Sequence, residues 1–155
     1  MNRYSFFLCI TFLASACSNS GSNTGESEDS ESAVILSVEV TGQELGYNFA
    51  VTVSSPDLDC EQYSDWWEIL SEDGKLIHRS VIEQSHPNEQ PFERSSGGIN
   101  IKANQKVIIR AHMNNLGYGT QALKGSVKAG FQEIQIDKNF AQAVEKQAPQ
   151  PPKCE

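Results

Sequence analysis

Histidine and cysteine are the residues here best suited to chemistry. The chain holds His78, His86 and His112, with cysteines at 9, 17, 60 and 154. Histidine joined by glutamate is the donor chemistry of zinc and copper sites. The stretch 83–98, EQSHPNEQPFERSSGG, sets His86, Glu89, Glu93 and Arg94 near one another. With His78 and His112 these would hold a metal only if the fold made them converge, because no pair stands at a regular ligand spacing. The other reading of the stretch is a solvated loop pinned by Phe92 and Pro91. No cysteine has a second one at zinc-ligand spacing. The motifs GxSxG, HExxH and CxxC and a phosphate-binding glycine loop are all missing. Nothing supports a Ser-His-Asp set. The expectation is a protein that is not an enzyme and carries no cofactor, with a metal-binding protein as the alternative.

A second set of residues is brought together by strand alternation. In KVIIRAHM (106–113), Val107, Ile109, Ala111 and Met113 face one way, and Ile108, Arg110 and His112 the other. In DWWEIL (65–70), Trp67 and Ile69 share a face, leaving Trp66 and Glu68 opposite. If these two strands are neighbours, Trp66, Glu68, Arg110 and His112 cluster on the outer face of one sheet. Glu68 then pairs with Arg110 across strands, and Arg110 lies over the indole. One reading is an exposed binding platform with an aromatic anchor, made pH-sensitive by His112. The other is a covered face, with Trp66 tucked beneath the C-terminal segment or the long loop. Tyr118, in the turn MNNLGYGT (113–120), is either a recognition residue at a sandwich end or packed over its own turn.

The elements that must position these residues are strands. VILSVEVT (34–41) places Val34, Leu36, Val38 and Val40 on one face. YNFAVTV places Tyr47, Phe49, Val51 and Val53 together. SEDG at 71–74 turns the chain so that KLIHRSVI (75–82) returns as the second arm of a hairpin. Ile99 and Ile101 mark a short strand, and GSVKAG and FQEIQI complete the pattern. Seven or eight short strands with no helix among them predict an all-β, antiparallel immunoglobulin-like or fibronectin type III-like sandwich over residues 33–136. A small barrel is the competing architecture. Residues 137–155 differ. Asp137 can cap a short helix carrying Phe140, Ala141 and Val144 on one face, stopped by Pro149, Pro151 and Pro152. The expectation is a strap across the sandwich.

The start of the chain is an address. MNRYSFFLCITFLASAC runs from Arg3 through the apolar Phe6–Phe12 stretch to Ala14, Ser15 and Ala16, then Cys17. A short positive start, an apolar run and a small-residue exit form an export signal over residues 1–16. Its apolar part is shorter than the roughly 20 residues that span a bilayer as a helix. The small residues ending at a cysteine resemble the lipobox of bacterial lipoproteins, although Ala14 stands where leucine is usual. The resemblance implies cleavage before Cys17, lipid on that residue and anchoring in a membrane of the cell envelope. Ser18 in the next place resembles the outer-membrane sorting signal. Residues 17–32 then form a tether, because SNSGSNTGESEDSES has no side chain to bury. With Cys9 removed and Cys17 lipidated, Cys60 and Cys154 remain, and in an exported protein they form one disulfide. Such a bond closes a loop of roughly 95 residues, worth about 4–5 kcal/mol in the chain-entropy model.

DWWEIL, DGKLIHR, EQPFER and RAHMNNLGYG together resemble a group of small bacterial exported proteins, a resemblance that implies no activity. Twenty acids against twelve basic residues give a formal charge of −8, which argues against nucleic acid as a partner. The partners expected are the membrane, through the lipid on Cys17, and a protein or glycan of the envelope.

Overall fold

In a computed structural model of the chain, residues 31–154 are described. The expected signal segment, Cys17 and most of the tether lie outside the described residues. From Val34 onward the regular structure is strand, apart from one 3-10 helix near the C-terminus.

The first sheet has the order β1-β2-β5, with β1 at Val34–Thr41, β2 at Tyr47–Ser54 and β5 at Phe92–Ile99. The alternation in β2 does what it predicts, and Tyr47, Phe49, Val51 and Val53 all reach the core. In β1 the expected face is broken. A register shift between Ile35 and Ser37 sends Ile35 inward and leaves Leu36 54% exposed, while Val38 and Val40 still pack on the core. A bulge has this effect because side chains alternate with a period of two. Gln121 secures it from the other sheet, its Oε1 accepting the Ile35 N–H at 3.0 Å and its Nε2 donating to the Ile35 carbonyl at 2.8 Å.

The second sheet has the order β4-β3-β6-β8-β9, with a short strand, β7, added to β6. Its strands are β3 (Ser64–Ser71), β4 (Leu76–Val81), β6 (Val107–Met113), β7 (Gly117–Tyr118), β8 (Gln121–Ser126) and β9 (Gly130–Gln135). The hairpin turn between β3 and β4 falls where SEDG predicts it. Gly74, at φ 81°, supplies the left-handed residue and donates its N–H to the Ser71 carbonyl at 2.9 Å. Every pairing in both sheets is antiparallel. The two sheets close on a core that includes Phe49, Val51, Trp67, Ile69, Ile109 and Met113. The architecture is an all-β antiparallel sandwich, as expected, and is consistent with the immunoglobulin-like arrangement.

Three expectations need correction. The stretch 83–98 is not one long loop, because Phe92 begins β5, whose Ser95, Ser96 and Arg94 pair with β2. Its serines and glycines hide the strand from a search for apolar alternation. Ile101 lies outside any strand yet is fully buried. The C-terminal helix is also shorter and tighter than predicted, a 3-10 helix at Gln142–Lys146 entered through Ala141 at φ 50°. Asp137 instead caps the preceding turn, accepting the Asn139 N–H at 2.8 Å. None of the described helices is long and apolar enough to cross a membrane.

Candidate functional site

β3 and β6 are adjacent, and their register sets Trp66 opposite His112 and Glu68 opposite Arg110. On the far side of β3, the hairpin sets Glu68 opposite Arg79. Parity is as the alternation predicts: Trp67 and Ile69 enter the sandwich core, while Trp66 and Glu68 face away from it.

The outer face is nonetheless buried. Trp66, Glu68, Arg79, Arg110, His112 and Tyr118 are each 7% exposed or less. Of the two readings, the exposed platform on Trp66, Glu68, Arg110, His112 and Tyr118 is corrected, and the covered face is what the structure shows. The cover is the C-terminal strap, which lies across the outer face and ends at Cys154, disulfide-bonded to Cys60. A small second core forms beneath it, in which Val144 packs with Leu70, Ile108 and Ala122, flanked by Phe140 and Ala141.

Glu68 organises the charges under this cover. Its Oε2 accepts from Arg79 Nε at 3.0 Å and Nη2 at 2.7 Å, and its Oε1 from Arg110 Nε at 2.9 Å. Two guanidiniums on one carboxylate leave N–H donors over in a dry site, which is expensive unless further acceptors are supplied. The strap supplies main-chain carbonyls. Arg79 donates to Val144 at 2.8 Å, Gln147 at 2.6 Å and Pro149 at 3.2 Å. Arg110 donates to Phe140 at 2.6 Å and Ala141 at 3.3 Å.

The aromatic side chains complete the layer. The His112 ring stacks on Trp66 at 3.7 Å and 8°. Arg79 lies 4.2 Å from the Trp66 ring centre and Arg110 3.4 Å from that of Tyr118. The cation over the indole is thus Arg79, not Arg110 as expected, because the hairpin brings Arg79 up on the opposite side. Burial pushes the Tyr118 hydroxyl well above its usual pKa, with the Glu68 charge acting in the same direction. Asp65 accepts from His112 Nδ1 at 2.6 Å. Burial raises its carboxyl above the ordinary range, partly offset by the histidine.

An aspartate-oriented imidazole is one part of nucleophilic catalysis, but among the described residues no nucleophile is bonded to its second nitrogen. His112 Nε2 has no hydrogen-bond partner and faces Glu145 Oε1 at 3.8 Å. The hydroxyl of Ser64 is bonded to the His112 carbonyl at 3.0 Å instead.

The loop residues form a separate group. His86 stacks on Phe92 at 4.5 Å, its Nε2 in contact with Arg94 Nη2. Burial lowers its pKa, and the charge of Arg94 lowers it further. Its backbone N–H donates to Asp57 at 2.8 Å, while Glu89 and Glu93 are exposed. Phe92 is the buried pin that the sequence predicts. His78 bonds Ser96 at 2.8 Å across the two sheets. The structure thus divides the three histidines among three places. Among the described residues no group of three His, Cys, Asp or Glu side chains is placed to hold a metal.

Arg79, Asp65 and Glu145 belong to the site, but alternation in β3 and β6 does not reveal them. Counting back from the 71–74 turn would have set Arg79 beside Glu68.

No family model matches the chain, and no solved structure matches it. Over 96 residues the chain is 30% identical to a protein of Halomicrobium mukohataei named "Putative lipoprotein", a stretch covering 60% of this chain and 47% of that one. The chain spans about half the length of that relative.

Proposed function

We propose that this is an exported, lipid-anchored protein of the cell envelope whose sandwich acts as a binding or structural module and performs no catalysis. The observation that carries the reading is how the cluster of charged and aromatic residues under the strap is used. Glu68, Arg79 and Arg110 bond to one another and to strap carbonyls, and His112 is closed in with them. Charge placed in this way holds a fold together rather than meeting a substrate. The disulfide suits an oxidising compartment, and the name of the Halomicrobium mukohataei relative points the same way. Anchoring follows from lipid on Cys17, since two acyl chains suffice for stable membrane attachment. Ser18 favours the outer membrane. The partner proposed is a protein or glycan of the envelope, met at the exposed loops and strap.

Intact mass of the protein isolated from membranes tests the anchor. The expected species begins at Cys17 and carries acyl chains. An unmodified amino terminus, or one at another residue, would refute it.

A further inference from the structure

We propose that the outer face of β4, β3 and β6 is a peptide-docking surface whose occupant is set by the Cys60–Cys154 bond. With the bond intact, the chain's own strap fills the face. Once a protein dithiol has reduced it, the face accepts an extended, proline-containing segment of another protein. This deepens the reading of the sandwich as a binding module and does not depend on the lipid anchor.

Recognition of the strap is by main chain. Five hydrogen bonds from Arg79 and Arg110 end on backbone carbonyls, those of Phe140, Ala141, Val144, Gln147 and Pro149. Of the strap's side chains only Val144 is fully buried, and residues 145–150 are largely exposed. A guanidinium fork donates to any segment that presents acceptors at this spacing. Proline suits such a segment because it offers a carbonyl and brings no N–H needing a partner. The unpartnered His112 Nε2 further favours an occupant with an acid where Glu145 stands.

The strap is held by these five hydrogen bonds and by the small core around Val144. It forms no strand with the sheet, and its regular structure is one five-residue 3-10 helix. The disulfide fixes its far end, where Cys60 is exposed and Cys154 partly so, within reach of an attacking thiolate. In the exchange one thiolate of the dithiol attacks a sulfur of the bond to give a mixed disulfide. Its second thiolate then displaces the protein sulfur. Cys60 and Cys154 leave as thiols, and the dithiol leaves as a disulfide, so two electrons and two protons pass to the protein.

Acrylamide quenching of tryptophan emission in the full chain reads the release, because Trp66 lies under the strap and Trp67 in the sandwich core. A labelled synthetic peptide of residues 137–153 reads the docking. In the oxidised protein the expected result is weak quenching and little peptide binding. On treatment with dithiothreitol, and equally in Cys154→Ser, quenching should rise while the far-ultraviolet β spectrum persists. The peptide should then bind about tenfold more tightly, and a peptide carrying Val144→Asp should not. Unchanged quenching and binding on reduction would overturn the proposal. So would loss of the β spectrum, or equal binding by the Val144→Asp peptide.

Discussion

Glu68 is the residue on which the buried face depends. It is fully buried and is the acceptor common to Arg79 and Arg110. Glu68→Gln keeps the shape but removes the carboxylate that both guanidiniums share. Removing one partner of a buried ion cluster costs about 3–5 kcal/mol, and urea unfolding of the variant should show a loss of that size. Histidine gives a second test. His78 is held below its ordinary pKa by burial, and His86 by burial and then by Arg94. The unfolded chain therefore binds protons on these residues at a pH where the folded chain does not. Stability should fall as the pH drops through about 6.5, the unfolded value. Asp65 acts in the opposite sense, because its raised pKa lets the folded chain take up a proton first. Its contribution is gained as the pH falls from the raised folded pKa towards the unfolded aspartate value of about 3.9. The urea midpoint should accordingly be lower at pH 5.5 than at 7.5, and His78→Gln should reduce the difference.

Close backbone approach makes β8 and β9 the most sensitive pair among the elements. A Cβ on Gly125 would sit 2.0 Å from the Gly130 carbonyl oxygen and 2.8 Å from Phe131 Cα. Neither can move without breaking the hairpin, so Gly125→Ala should destabilise the protein by about 1–3 kcal/mol, measured by thermal unfolding. The strands with clean alternation, β2 and β6, were legible in the sequence, and so was the outward parity of Trp66 and Glu68. The parity of β1 was not, because a bulge depends on Gln121 reaching across from the other sheet. Nor was β5. Its FERSSGGI sequence pairs through the backbone and packs chiefly at its ends, through Phe92 and Ile99. The candidate site was half legible. Alternation grouped Trp66, Glu68, Arg110 and His112, and a strap covering them was one of the two readings, but the bonds from Arg79 and Arg110 to its main-chain carbonyls are announced by no residue type.

For the molecule as a whole, the strap converts a two-layer sandwich into one with a third, partial layer. β3 and β6 are buried on both faces as a result, which is how charged residues come to lie in two central strands. The central claim is that Arg79 and Arg110 are sealed beneath the strap in the oxidised protein. Solvent exchange of their Nε–H protons, followed by nuclear magnetic resonance, tests this most directly. Both Nε–H groups donate to Glu68 in a site closed to water. The predicted result is two arginine Nε–H signals that persist long after transfer to deuterated solvent. Exchange of both at the rate of an exposed guanidinium would contradict the account.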